Sequence, residues 1–104
     1  MSRAFLVQIL VPKETGKGQP VTQGWFECFL EELTRTFGGA TSFLRAPGQG
    51  LWRESGETEL DTIAVIEVMA EQLEQEYWSR LRQRLQHELS QDEVVIRAQE
   101  IIRI

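Results

Sequence analysis

Three polar residues stand in the middle of runs that are otherwise apolar: Gln8 in Phe5–Val11, Glu67 in Ile63–Met69 and Arg97 in the alternating segment Glu93–Ile104. An amide, a carboxylate and a guanidinium brought into one row can hold a polar small molecule. A carboxylate in apolar surroundings also keeps its proton more tightly and can shuttle it. The favoured reading of the same trio is a structural network, or a registry-fixing ion pair where two copies of the chain meet, because such networks commonly mimic functional sites. Met69 lies two residues beyond Glu67, on the same side of an extended strand. Trp52 and Arg53 lie in the Pro/Gly-rich insertion Ala46–Gly56, after Arg45. They form a second place for specificity, because Trp and Arg are enriched in binding hot spots. A hairpin whose Trp52 caps the edge of the core accounts for the same residues. The candidate ligand-binding set is therefore Gln8, Glu67, Met69, Arg97, Trp52 and Arg53, and no residue is assigned to catalysis.

Other motifs carry less. Lys13–Gly18 connects a strand to a helix N-terminus, a place that favours anions, but it lacks the glycine spacing and Lys-Ser/Thr ending of a phosphate-binding P-loop and reads as a solvated loop. His87, the single histidine, falls away from the apolar stripe of its helix and reads as a surface residue. Cys28, the single cysteine, excludes an internal disulfide and any multi-cysteine metal site, and is expected to be a small, semi-buried residue on the helix shoulder. No metal and no cofactor is expected.

The elements that must position these groups follow from periodicity. Phe5–Val11 reads as a buried strand closed by Pro12. Thr22 caps a helix with the stripe Trp25, Phe26, Phe29, Leu30, Leu33 and Phe37, ended by Gly38-Gly39. Thr41–Arg45 is a second strand, which Leu51–Glu54 can resume after the insertion. Ser55-Gly56 then turns into a third strand over Glu57–Met69. A helix is expected over Ala70–Gln91, with Leu73, Tyr77, Trp78, Leu81, Leu85 and Leu89 inward. In the terminal strand, Glu93–Ile104, Val94, Ile96, Ala98, Ile102 and Ile104 share one face.

The 104 residues make one domain, 1–104, with 41% hydrophobic and 26% charged residues. The order strand, helix, strand, strand, helix, strand resembles the α+β ferredoxin-like βαββαβ sandwich over nearly the whole chain. That resemblance implies a four-stranded antiparallel sheet with two helices on one face and strand order four-one-three-two. Gln8 then falls between Arg97 and Glu67. The face away from the helices would carry Leu6, Leu10, Ile63, Val65, Met69 and Val95, more contiguous apolar surface than a soluble monomer leaves to water. In this respect the chain is similar to the dimeric α/β-barrel group, whose members pack two such sheets face to face and keep a cavity between or beside them. The segments Phe37–Thr41, Gly50–Trp52, Ile66–Met69 and Gln91–Gln99 are also similar to a group of small bacterial proteins of uncharacterised function. That resemblance implies a fold and no activity.

The expected partner is a second copy of the chain, a homodimer joined through the open sheet face, with a small-molecule ligand as a further partner. Two functions from different classes remain: a non-catalytic binding or interaction module, and a cofactor-independent enzyme or ligand binder with its cavity at the sheet face. The formal charge of −5 argues against a general nucleic-acid binder, and no run is long and apolar enough for a membrane span or a leader, so a cytoplasmic setting is expected. The charge is divided: Glu54–Glu76 holds eight acids and no base, and the rest of the chain is mildly basic. An acidic segment of this kind could also dock a basic partner.

Overall fold

Alternation along the first strand and helical spacing after Thr22 are both realised in a computed structural model that describes residues 1–39, 41–45 and 63–104. The elements are β1 (Ser2–Pro12), α1 (Gln23–Phe37), β2 (Thr41–Arg45), β3 (Ile63–Ala70), α2 (Gln75–Glu88) and β4 (Val95–Arg103). The strands lie in the order β2-β3-β1-β4, and every neighbouring pair is antiparallel. Three long strands, β3, β1 and β4, carry most of the sheet. The shorter β2 runs along the outer edge of β3, with Thr41 in register with Glu67.

Period two decides which side of the sheet is core. Val7, Ile9, Val11, Ala64, Ile66, Val68 and Val94 are buried against Phe26, Phe29 and Leu33 of α1 and Trp78, Leu81 and Leu85 of α2. Both helices therefore cover one face. Helix α1 starts where Thr22 Oγ1 accepts the Trp25 N–H at 3.1 Å and stops at Gly38, whose φ of +83° a side chain would strain. At the far end of the helix pair, Phe37 stacks on Trp78 with centroids 5.1 Å apart and planes 11° from parallel. Tyr77 meets both rings edge-on. Arg84 of α2 reaches Glu32 of α1 at 2.9 Å and Glu88 at 3.5 Å, so it joins the two helices.

Several expected boundaries move. Helix α2 begins at Gln75 rather than Ala70, because the backbone of Ala70 is still paired with Phe5 in the β1–β3 ladder. It ends at Glu88, before Ser90, whose φ of 51° leaves the helical region. Leu73 precedes the helix and is half-buried. Strand β3 begins at Ile63 in the described residues, and the expected stretch 57–62, the turn Ser55-Gly56 and the resumption Leu51–Glu54 lie outside them. In β4 the expected inward face holds only at its start. Val94 is buried, but Ala98 is exposed at a cleft between β4 and α2, and Ile102 and Ile104 are exposed where the chain runs on past the part of the sheet that the helices cover.

The loop between β1 and α1 is a built turn rather than a merely solvated one. Thr15 Oγ1 accepts the N–H groups of Lys17 and Gln19, Glu14 bridges to Pro20, and Lys13 Nζ stands 5.0 Å over the Phe26 ring. The loop also docks on the α2–β4 connection. The Gly16 N–H donates to Leu89 O at 3.0 Å, and Gln91 Nε2 donates to Glu14 O at 3.0 Å. The approach is so close that a Cβ on Gly16 would lie 1.7 Å from Ser90 O.

Two outcomes follow from this packing. Gly16→Ala must push the two loops apart, and is expected to cost about 1–3 kcal/mol of stability in urea titrations, the range for overpacking a tight site. The second concerns alkaline pH. Burial, and then the Glu32 carboxylate, hold the Tyr77 phenol above its ordinary value of 10.0, against a hydrogen bond with Thr36 and the Arg84 charge. The folded chain thus keeps this proton where the unfolded chain has lost it. The contribution is complete below the ordinary tyrosine value and is lost as pH rises through the folded one. Tyr77→Phe is expected to flatten the decline in urea midpoint above about pH 10.

Candidate functional site

The odd-and-even logic that buries Val7 and Ile9 sends Gln8 to the other side of the sheet, and β1 is paired on both edges. Gln8 is in register with Glu67 of β3 on one side and with Arg97 of β4 on the other. The side chains complete what the backbone aligns. Gln8 Nε2 donates to Glu67 Oε2 at 2.7 Å, and Arg97 Nε donates to Gln8 Oε1 at 2.8 Å. One amide therefore links a cation to an anion across three strands, with its donor end on the carboxylate and its acceptor end on the guanidinium. Gln8 and Glu67 are half-buried and Arg97 is exposed, so the row runs from partly enclosed to open. Glu67 Oε1 and the terminal nitrogens of Arg97 have no hydrogen-bond partner among residues 1–39 and 63–104. These are the groups left to meet a ligand: an acceptor at one end, donors at the other.

The surface around the row is less openly apolar than expected. Leu6, Leu10 and Ile63 are half-buried and Val65 is buried, while Met69 and Val95 are exposed at 45% and 41%. Leu10 and Val65 face each other in register, as do Leu6 and Met69, so cross-strand neighbours shield part of what one strand alone would expose. Among the described residues of this face, Met69 and Val95, which flank the row, are the apolar side chains left mostly uncovered, with Leu6, Leu10 and Ile63 contributing less.

Of the six expected site residues, three form one hydrogen-bonded unit: Gln8, Glu67 and Arg97. Met69 shares their face but lines a different hollow, about 550 Å³, beside Phe37, Tyr77 and Glu74. Trp52 and Arg53 lie outside the described residues, as does the rest of the insertion 46–62. His87 is exposed. Cys28 is exposed too, not semi-buried as expected, because it lies about 200° around the helix from buried Phe26. It borders a groove with Trp25, Glu32 and Arg84. Among the described residues no group of three or more His, Cys, Asp or Glu is placed to hold a metal ion, and no helix is long and apolar enough to cross a membrane.

Spacing arguments pass over Ser79 and Arg82. With Arg97 these line a cleft of about 210 Å³ between α2 and β4. The one trace of it in the sequence is that Arg82 has no acidic residue three or four positions away on its helix.

Removing the bridge is expected to show how the row is held together. Gln8→Leu leaves a half-buried carboxylate and the guanidinium unlinked, and should cost about 1–3 kcal/mol by chemical denaturation. The double variant Gln8→Leu/Glu67→Leu should lose less than the two single variants added together.

Compared with known proteins, the chain matches no family model and no curated protein by sequence. Among solved structures it is similar to a phage SAM lyase in complex with S-methyl-5'-thioadenosine. The TM-score is 0.62, over 96% of this chain and 83% of that one, at 18% sequence identity. At that identity the likeness shows a shared α+β fold.

Proposed function

We propose that this protein binds a small polar molecule at the Arg97–Gln8–Glu67 row, and that a second copy covers the open sheet face and encloses the site. The architecture is taken as the ferredoxin-like plait in the manner of the dimeric α/β-barrel group. The reading rests above all on the row itself: three polar side chains from three strands, joined end to end at 2.7 and 2.8 Å, in a face whose other central positions are apolar. A carboxylate oxygen and guanidinium donors at opposite ends suit a molecule that offers hydroxyl or amine donors to one and ring nitrogens or a carboxylate to the other. The solved neighbour supports this choice, since it is a protein of like fold described with a nucleoside thioether bound. S-methyl-5'-thioadenosine offers both sets of groups and is the first probe.

One observation favours the non-catalytic alternative, in which the row is structural and the sheet face serves only association. Both ends of the Gln8 amide are already used within the chain. Native mass spectrometry and calorimetric titration with S-methyl-5'-thioadenosine separate the two. The ligand-binding reading expects a dimer with saturable binding that Glu67→Gln weakens roughly tenfold or more while the dimer persists. No saturable binding at millimolar probe, or a Glu67→Gln effect confined to dimer affinity, would favour the structural reading. A monomer at micromolar concentration would remove the second copy from the proposal.

A further inference from the structure

The cleft between α2 and β4 lies on the helix side of the sheet edge, away from the face that carries the row. Its floor is apolar: Val7 and Trp78 are buried, and Leu73 and Ile96 are half-buried. Its polar lining is Gln75, Ser79, Arg82 and Arg97, and no carboxylate lines it among the described residues. Arg82 differs in this from its neighbours on the same helix. Arg80 pairs with Glu76, and Arg84 pairs with Glu32 and Glu88, whereas Arg82 makes no ion pair among the described residues. The hollow exists because position 98, in register with Val7, is alanine. A leucine there would fill space that the small side chain leaves open.

An apolar floor under an uncompensated guanidinium and a hydroxyl has a definite chemical preference. The floor takes a ring or short alkyl group out of water, and the guanidinium accepts a carboxylate in its planar fork. The volume, about 210 Å³, is below the ~300–1,000 Å³ of pockets for drug-sized ligands, which limits the occupant to a small molecule. We propose that this cleft is a second binding site, for a small amphipathic carboxylate whose apolar group lies against Trp78 and Ile96 and whose anionic end is held by Arg82 and Ser79. The proposal is independent of the row, with which the cleft shares only Arg97.

The test titrates the full chain with benzoate and with its neutral counterpart benzamide, by calorimetry and by amide chemical shifts. Benzoate is expected to bind saturably, with shifts centred on Ser79 and Ala98, and benzamide roughly tenfold more weakly or worse. Arg82→Gln, at an exposed position, is expected to remove the preference for benzoate. Ala98→Leu is expected to abolish binding of both probes, with a thermal midpoint equal to or above that of the parent chain. Equal affinity for the two probes, an unchanged preference in Arg82→Gln, shifts centred elsewhere, or no saturable binding at millimolar benzoate would each overturn the proposal. Should Ala98→Leu fail to fold, the Arg82→Gln comparison and the shift map still decide it. Glu67→Gln should leave benzoate binding unchanged, which distinguishes failure of this site from failure of the row.

Discussion

Strand β1 is hydrogen-bonded along both edges, and nearly everything else depends on that. Its register with β3 and β4 places Val7 opposite Val68 and Ala98, Ile9 opposite Ile66 and Ile96, and Gln8 opposite Glu67 and Arg97. A slip of one residue on either side would turn an apolar strand face out and drive the charged pair into the core. The core and the row are therefore two sides of one constraint. Fully buried Val7, Ile9 and Val11 fix the register, and the register brings three polar groups from distant parts of the chain to within hydrogen-bonding distance.

The helices depend on the same strand in a less direct way. They cover the face that β1 makes apolar, and they are joined to each other at one end by the aromatic trio, further along by Arg84 with Glu32, and at the loops by Gly16 against Leu89. These contacts are between residues far apart in sequence, so neither half of the chain completes its own packing. Charge follows the same division of labour. Arg80 and Arg84 are absorbed in ion pairs with helix carboxylates, and Arg97 is absorbed in part by the Gln8 amide. Arg82 is the arginine of α2 that makes no ion pair among the described residues.

Local pattern made much of this legible. The order of elements, the inward faces of β1, β3 and α1, the Thr22 cap and the alignment of Gln8 with Glu67 and Arg97 all follow from periods of two and 3.6 with antiparallel pairing. The failures are non-local. Nothing near Ala70 announces that Phe5 will claim its backbone, so the start of α2 is misplaced by five residues. Nothing in Lys13–Gly18 announces Ser90, so a glycine required by close approach reads as one more loop glycine. Nor could hydropathy show that β4 outruns the helices and leaves Ile102 in the open. The cleft was invisible for a related reason: it is a missing volume at Ala98, and an absence of side chain leaves no mark on a hydrophobic pattern.

The glutamine at the centre of the row marks its sense. With its nitrogen on the carboxylate and its oxygen on the guanidinium, the sequence cation, amide, anion can be read in only one order across the sheet. Two identical faces laid together about a two-fold axis parallel to the strands would oppose their rows head to tail and set each guanidinium near the other's carboxylate. An axis parallel to the rows would instead set like charge on like. Which of the two arrangements pairs unlike charges is thus set by the order of the strands that carry Arg97 and Glu67, and the Gln8 amide between them follows that order.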